Sequence, residues 1–212
     1  MTQGIPKEFW DSRFSEAAPA YGERASRLLL GWSNLISSDC RTALVPACGQ
    51  GRDAVFLAKL GLSVTAVDVS PVGLRQCSEL ARRHGVSLSL VEADLFEWDW
   101  PEADVDLVAG MFLHVPTGAR PGLHERFKRA LKPGGYVFLE GFTTEQIRFQ
   151  ETYQSGGPPD AAMLYSADAI RDDFSGLAEI SLMTGVETLD EGPYHTGPAA
   201  LLRAVFQKQD SK

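Results

Sequence analysis

From residue 42 onward, short apolar runs alternate with segments in which apolar residues recur at helical spacing. This alternation predicts strands of a parallel sheet that are connected by helices, the arrangement of an α/β protein. The predicted strands are residues 42–48, 63–69, 87–93, 105–111 and 136–142. The helices predicted between them span about residues 53–60, 70–84 and 119–131, each ending at a glycine or at the Lys-Pro-Gly-Gly sequence.

After the fifth strand the pattern changes. Residues 155–166 are rich in glycine and proline, which predicts a loop, and Ser166 is suited to cap a short helix that extends to Phe174. Two strand-like runs, 177–189 and 199–207, follow. Because residues 190–198 join them directly, they predict an antiparallel hairpin with a wide connection.

The first forty residues are predicted to form a helical cap, since Phe9, Trp10 and Phe14 are spaced to share one helix face. That face is also what ordinary core packing would require. A chain of 212 residues has the length of one domain. We therefore expect a single domain with a cap at residues 1–40 and an α/β core at 41–212.

Composition narrows the class of protein. A content of 44% hydrophobic and 23% charged residues is typical of a globular fold rather than a disordered or fibrous chain. The net charge of −8 argues against nucleic acid as a partner, because that binding depends on Lys and Arg. Small molecules are the expected partners, bound by a monomer or a homodimer.

The apolar runs are too short for a membrane span, and the N-terminus lacks the layout of a signal peptide, so no membrane interaction and a cytoplasmic location are expected. The three cysteines, Cys40, Cys48 and Cys77, have neither paired zinc spacing nor a Cys-x-x-Cys motif. We expect them to be reduced and no metal to be bound.

The candidate chemistry begins with the sequence Cys-Gly-Gln-Gly-Arg-Asp, directly after the first strand. Loops at the carboxyl ends of parallel strands bind ligands in open α/β sheets. Glycine at Gly49 and Gly51 lets a ligand approach the backbone, and the next helix presents free N–H groups. Asp68 ends the second strand, where a carboxylate can accept the hydroxyls of a ribose. Together these residues predict a nucleoside site.

Three interpretations of this loop remain open. Gly49, Gly51 and Ala54 match the Gly-x-Gly-x-x-Ala spacing of NAD(P)-dependent oxidoreductases, a motif of low specificity. The glycines also suit a tight turn without a ligand, and a non-catalytic cofactor-binding module is a further alternative. Asp94, after the third strand, is placed to accept the amine of an adenine, and no length remains for a separate substrate domain. Both features disfavour the oxidoreductase.

Residues 42–142, with the glycine loop, Asp68, Asp94 and the Leu-Lys-Pro-Gly-Gly turn in order, resemble a class I S-adenosylmethionine-dependent methyltransferase. The sequences Phe-Trp-Asp-Ser-Arg-Phe and Pro-Ala-Cys-Gly-Gln-Gly-Arg-Asp are similar to those of the tellurite-resistance and thiopurine or thiol methyltransferase branch. The resemblance implies a doubly wound, mostly parallel sheet of seven strands with an antiparallel C-terminal strand. It also implies S-adenosylmethionine as the cofactor.

The resemblance assigns cofactor roles to individual residues. Ala47 stands where the family usually has an acidic residue, which leaves the methionine amino group to backbone carbonyls of the loop. Gly49 and Gly51 are assigned to the methionine and ribose region, and Asp68 is assigned to the ribose hydroxyls. The residues assigned to adenine are Val69, Asp94, Leu95 and Phe96. Those assigned to the methionine and the sulfonium are Gly110, Met111 and Phe112.

Catalytic candidates come from segments expected to converge above the strand ends. His114, Tyr21 and Arg148 are the first candidates, with Phe14 and Tyr153 beside them. For His114 a structural role is an equal alternative, and Arg148 is also consistent with an ordinary surface arginine.

Two further features have a functional and a structural interpretation. For His195 we favour a loop network over catalysis. The 155–166 loop, with Tyr165, is a substrate cover or an ordinary connector.

The expected reaction is methyl transfer to a small acceptor, with a thiol, tellurite or a similar soft nucleophile as the first choice. Such nucleophiles react without strong base assistance, whereas an amine or hydroxyl usually needs its proton removed.

Overall fold

A central seven-stranded sheet organises the protein in a computed structural model that describes residues 4–16 and 19–209. The strand order is β3-β2-β1-β4-β5-β7-β6, and β1 to β5 pair in parallel while β7 is antiparallel to both neighbours. The strands are β1 (Thr42–Pro46), β2 (Ser63–Asp68), β3 (Ser89–Glu92), β4 (Val105–Met111), β5 (Leu131–Phe142), β6 (Ala178–Asp190) and β7 (Thr196–Gln207).

Helices cover both faces of this sheet and form two apolar layers. Leu29, Ile36 and Leu57 pack on one face, and Phe127 and Phe174 pack on the other. The helices are α1 (Lys7–Phe14), α2 (Arg27–Gly31), α3 (Ser33–Asp39), α4 (Arg52–Lys59), α5 (Pro71–Arg83), α6 (Arg120–Ala130), α7 (Gln146–Tyr153) and α8 (Ala167–Asp173), with a 3-10 turn at Ala161–Met163.

The predicted fold is confirmed: a doubly wound, mostly parallel sheet of seven strands that ends in an antiparallel strand. Ser70 and Ser166 cap α5 and α8 as predicted, each accepting a hydrogen bond from the backbone N–H three residues later. The Lys-Pro-Gly-Gly sequence does not separate a helix from a strand. It lies inside β5 as an irregularity, where the pairing with β4 shifts between Leu131 and Tyr136.

The N-terminal segment, which was expected to form one cap, divides into two parts. Residues 1–3 and 17–18 of this segment lie outside the described residues, and so do residues 210–212 at the C-terminus. Helix α1 lies over the carboxyl ends of the strands, where its residues line a cavity. Helices α2 and α3 instead contribute Leu28, Leu29 and Ile36 to the sheet-packing layer. Helix α7, which the sequence analysis did not predict, follows β5 and packs against β7. Within the described residues, no helix is both long and apolar enough to cross a bilayer.

The turn between β1 and α4 requires a glycine at position 51. Gly51 has a φ of 88° and its N–H donates to the carbonyl of Cys48 at 2.9 Å. A Cβ at this position would lie 2.8 Å from the Cβ of Cys77 and 3.0 Å from its Cα. Gly51 is therefore required for its left-handed conformation and for the contact between this turn and α5.

Gly51→Ala is expected to lower the free energy of unfolding by about 3 kcal/mol, because a left-handed alanine and an overpacked contact each cost about 1–2 kcal/mol. Gly61→Ala is the matched control, since Gly61 has a φ of 93° but an added Cβ there meets no atom within 4 Å. We expect a loss of only about 1 kcal/mol in that variant. Equal losses in urea unfolding would show that the Cys77 contact does not constrain the turn.

Candidate active site

A cavity of about 670 Å³ opens at the carboxyl ends of the parallel strands, the place where open α/β sheets bind ligands. The loops after β1, β2, β3 and β4 form its floor. Helix α1, the loop around residue 157 and the turn before β7 form its walls. The cavity therefore joins segments that are far apart in the sequence.

The loop after β1 exposes its backbone to this cavity. Ala47, Gly49 and Gly51 all have positive φ, at 50°, 52° and 88°, and all three line the cavity. The N–H of Cys48 donates to the carbonyl of Val67 at 3.0 Å, which fixes the loop against β2. Because left-handed alanine is uncommon and strained, its presence at position 47 marks the loop as a functional candidate.

Asp68 holds two backbone groups while it faces the cavity. Its Oδ2 accepts from the N–H of Gly49 at 2.7 Å, and its Oδ1 accepts from the N–H of Ser70 at 2.9 Å. Burial raises the pKa of this carboxyl, whereas these N–H groups act to lower it. A carboxylate has about four acceptor positions, so two bonds leave capacity for a ribose.

The segment after β3 supplies a second acceptor and an apolar wall. The Oδ1 of Asp94 accepts from the N–H of Phe96 at 2.9 Å, and within residues 4–16 and 19–209 no donor lies within hydrogen-bonding distance of its Oδ2. Val69, Leu95 and Phe96 line the cavity beside it. One free carboxylate oxygen among apolar side chains fits a purine that carries an exocyclic amine.

Gly110 is the cofactor candidate that the structure places outside the cavity lining. An added Cβ there would lie 2.8 Å from the ring of Phe127, so Gly110 serves core packing. Met111 and Phe112 do line the cavity, and Phe112 has a φ of 53° with its N–H donated to the carbonyl of Glu140 at 2.6 Å. The chain turns sharply here and directs the residues after β4 over the loop of β1.

His114 lines the cavity, but both of its ring nitrogens are occupied. Nδ1 lies 2.9 Å from the carbonyl of Met163, and Nε2 accepts from the N–H of Phe142 at 3.0 Å. This pattern requires the proton on Nδ1 and leaves no lone pair for a substrate. Burial lowers the pKa of His114 to about 4. The role that these contacts support is structural, not that of the proton acceptor suggested by the sequence.

Arg148 and Tyr153 lie on α7, outside the cavity. The Arg148 side chain is 81% exposed and pairs with Glu145 at 3.1 Å. Both residues border a separate, shallow depression between α7 and β6. Tyr165 is buried in the core and donates its O–H to the carbonyl of Leu113, so it is not part of a substrate cover. The structure does not bring these residues to the site.

An aromatic chamber forms another part of the cavity lining. Tyr21, one of the predicted catalytic candidates, packs its ring 4.6 Å from that of His195, and Phe112 lies 4.5 Å from His195 on another side. The 155–166 loop also lines the cavity, through its residues 156–159. We define the aromatic chamber by Phe14, Tyr21, Phe112, Phe142, Tyr194 and His195, all of which line the cavity.

A buried ionic cluster connects this chamber to the loop of β1, and the sequence analysis did not identify it. Arg52 donates to Oε2 of Glu191 at 2.9 Å and to the carbonyl of Tyr21 at 2.8 Å. Nδ1 of His195 lies 3.5 Å from the same Glu191 oxygen. Burial lowers the pKa of His195 despite Glu191, so the ring is neutral at pH 7. Because 139 residues separate Arg52 from Glu191, no local sequence signal predicts the cluster.

Comparison with known proteins agrees with this geometry. Residues 43–135 match a family model described as a methyltransferase domain. The chain is 30% identical to probable thiol methyltransferase 2 of Arabidopsis thaliana over 55% of its own length and spans half the length of that protein. It is 28% identical to thiopurine S-methyltransferase of Vibrio cholerae, covering 72% of this chain and 74% of that one. Its fold matches the N-methyltransferase NodS of Bradyrhizobium japonicum, solved with S-adenosylhomocysteine, with a TM-score of 0.68, 14% identity and coverage of 96% and 98%.

The buried state of His114 predicts acid destabilisation. Its folded pKa of about 4 lies below the unfolded value of 6.5, so the stabilising effect is complete above pH 6.5 and is lost as the pH falls toward 4. The free energy of unfolding should fall by about 3 kcal/mol over that range from this residue alone. NMR titration of the ring and urea unfolding at several pH values measure both effects, and a ring that titrates near pH 6.5 would contradict the prediction.

Proposed function

Since this chain belongs to the class I S-adenosylmethionine-dependent methyltransferases, in the branch of the thiol and thiopurine methyltransferases, we propose that it methylates a small molecule at a soft nucleophilic atom. A thiol is the first candidate and tellurite the second. The observation that carries this proposal is the continuity of the cavity, which joins an adenosine-type site to an aromatic chamber.

The adenosine end holds the cofactor through residues already in place. Asp68 accepts the ribose hydroxyls, the free oxygen of Asp94 accepts the adenine amine, and Phe96 and Val69 pack against the base. Bound S-adenosylmethionine supplies a methyl group that is already electrophilic. The protein therefore has to position the acceptor and exclude water, and positioning alone provides a large part of the acceleration in such reactions.

The aromatic chamber positions the acceptor. Phe112, Phe142 and Tyr21 surround His195 with ring centroids 4.5 to 5.1 Å from its own, so the acceptor atom enters a mostly apolar space. Removal from water costs less for soft, weakly hydrated nucleophiles such as thiols than for amines, which are charged ammonium groups in water. This chamber also distinguishes an enzyme from a module that only binds the cofactor. No observation favours the nicotinamide-dependent alternative.

His195 is the proposed acceptor of the thiol proton. Its ring is neutral and lines the chamber, and its Nδ1 lies 3.5 Å from Glu191, so we assign the proton-accepting lone pair to Nε2. Arg52 fixes Glu191 by an ion pair of 2.9 Å. Burial acts to raise the pKa of Glu191, but the nearby imidazole of His195 and the charge of Arg52 outweigh it and hold that pKa below its usual range. Glu191 is therefore a positioning residue for the imidazole.

Purified protein is expected to transfer a labelled methyl group from S-adenosylmethionine to small thiols. Asp68→Ala should weaken S-adenosylhomocysteine binding by about 100-fold, because the variant loses hydrogen bonds to a charged group and frees the N–H of Gly49. Calorimetry measures the affinity, and urea unfolding checks that the variant is folded. Unchanged affinity in a folded variant would mean that the ribose lies elsewhere.

His195→Gln should lower kcat/KM for an aliphatic thiol by about 100-fold at pH 7, since general-base catalysis contributes about that factor or more. An aromatic thiol that is already ionised at this pH needs no base and should lose far less. The comparison of the two thiols separates proton removal from packing. Equal losses for both would contradict the role of His195 as a base.

A further inference from the structure

Arg13 is the least neutralised of the cations that line the cavity within the described residues. Lys7 pairs with Glu92 at 2.8 Å, and Arg52 pairs with Glu191 at 2.9 Å. The carboxylate nearest to Arg13 is that of Glu16, 3.8 Å from Nε, which is beyond hydrogen-bond length. The other oxygen of Glu16 accepts from the O–H of Tyr194. The guanidinium therefore retains donors for a ligand.

Aromatic contacts hold this guanidinium in one orientation. Its central carbon lies 3.5 Å from the ring centroid of Tyr194 and 5.0 Å from that of Phe9. A guanidinium stacked on a ring keeps its edges free to hydrogen-bond in its own plane. The side chain is only 21% exposed, so a bound anion would be partly shielded from water.

Tyr21 adds a second donor at the same place. Nη1 of Arg13 donates to the phenol oxygen of Tyr21 at 3.2 Å, so the hydroxyl hydrogen of Tyr21 points elsewhere. Within residues 4–16 and 19–209, no acceptor lies within hydrogen-bonding distance of that hydrogen. Burial raises the pKa of Tyr21, and the phenol remains protonated at neutral pH. Arg13 and Tyr21 thus lie together in the cavity lining, each with a donor that remains available to a ligand.

We propose that Arg13 and Tyr21 bind a negatively charged group of the acceptor, so that the enzyme selects anionic acceptors over neutral and cationic ones. The inference rests on the proposed methyl transfer. Arg13 contacts Tyr21 and Tyr194, whose ring centroids lie 6.1 Å apart, and the ring of Tyr21 packs on His195. An anion bound by Arg13 would therefore lie beside His195, where the methyl acceptor is proposed to bind. Arg13 is then a specificity-determining residue, contributed by helix α1.

The first test measures binding and needs no turnover. The complex of the protein with S-adenosylhomocysteine is titrated in a calorimeter with two methyl thioethers. The first, 3-(methylthio)propionate, carries a carboxylate, and the second, 2-(methylthio)ethanol, carries a neutral hydroxyl group in its place. We expect about ten-fold or tighter binding of the acid by the wild type, because a hydrogen bond to a charged group is worth about that factor. Arg13→Gln should abolish the preference, and Tyr21→Phe should reduce it.

The matched control is Arg171→Gln, since Arg171 lies on α8, is exposed and pairs with Glu179 away from the cavity. This variant should keep the full preference for the acid. Equal affinity of the wild type for both probes would overturn the proposal, as would a preference that persists in Arg13→Gln.

A second arm identifies the source of the anion, because the cofactor also carries a carboxylate. Arg13→Gln should bind S-adenosylhomocysteine and 5′-methylthioadenosine, which lacks the amino acid, as tightly as the wild type does. Weaker binding of S-adenosylhomocysteine alone would assign Arg13 to the cofactor and overturn the acceptor role.

The third arm separates this inference from the proposed function. Methyl transfer is measured with 3-mercaptopropionate, 2-mercaptoethanol and 2-aminoethanethiol, three short thiols with negative, neutral and positive charge. The wild type should prefer them in that order by kcat/KM, and Arg13→Gln should flatten the order. If none of the thiols is methylated, the proposed acceptor class fails, while the binding arm still decides the role of Arg13.

Discussion

The site depends on the two hydrogen bonds that the carboxylate of Asp68 accepts. This carboxylate joins the backbone of Gly49, in the loop of β1, to that of Ser70, the cap of α5. These two bonds hold a strained turn of three left-handed residues in one place at the end of the sheet. Because the same carboxylate retains acceptor positions toward the cavity, the group that builds the loop is also suited to recognise the ribose.

A second set of buried charges connects the loop of β1 to the aromatic chamber. Arg52, the first residue of α4, joins the loop of β1 to Glu191 in the turn before β7 and to the carbonyl of Tyr21. Charges buried to this extent are stable only when paired, so the three segments have to assemble together. His195 then occupies a defined position between Tyr21 and Phe112. The chamber is thus a product of tertiary assembly rather than of one motif.

The parts of the molecule that local patterns encode could be predicted from the sequence. Apolar runs and capping residues located the strands, the hairpin and α5, and the residues of the β1 loop, Asp68 and Asp94, which the sequence grouped together, do line one cavity. Predictions failed where chemistry depends on which atoms meet in space. His114 has both nitrogens bound to backbone groups, and Arg148 points to solvent. Gly110 lies outside the cavity lining, and an added Cβ there would meet the ring of Phe127.

The measurement that tests the central claim most directly is a calorimetric titration of the wild-type protein with S-adenosylhomocysteine, beside NADH and NADPH. The account predicts binding of S-adenosylhomocysteine with one-to-one stoichiometry and no binding of either nicotinamide nucleotide. Binding of a nicotinamide nucleotide without binding of S-adenosylhomocysteine would contradict it, and the loop of β1 would then be a dinucleotide site.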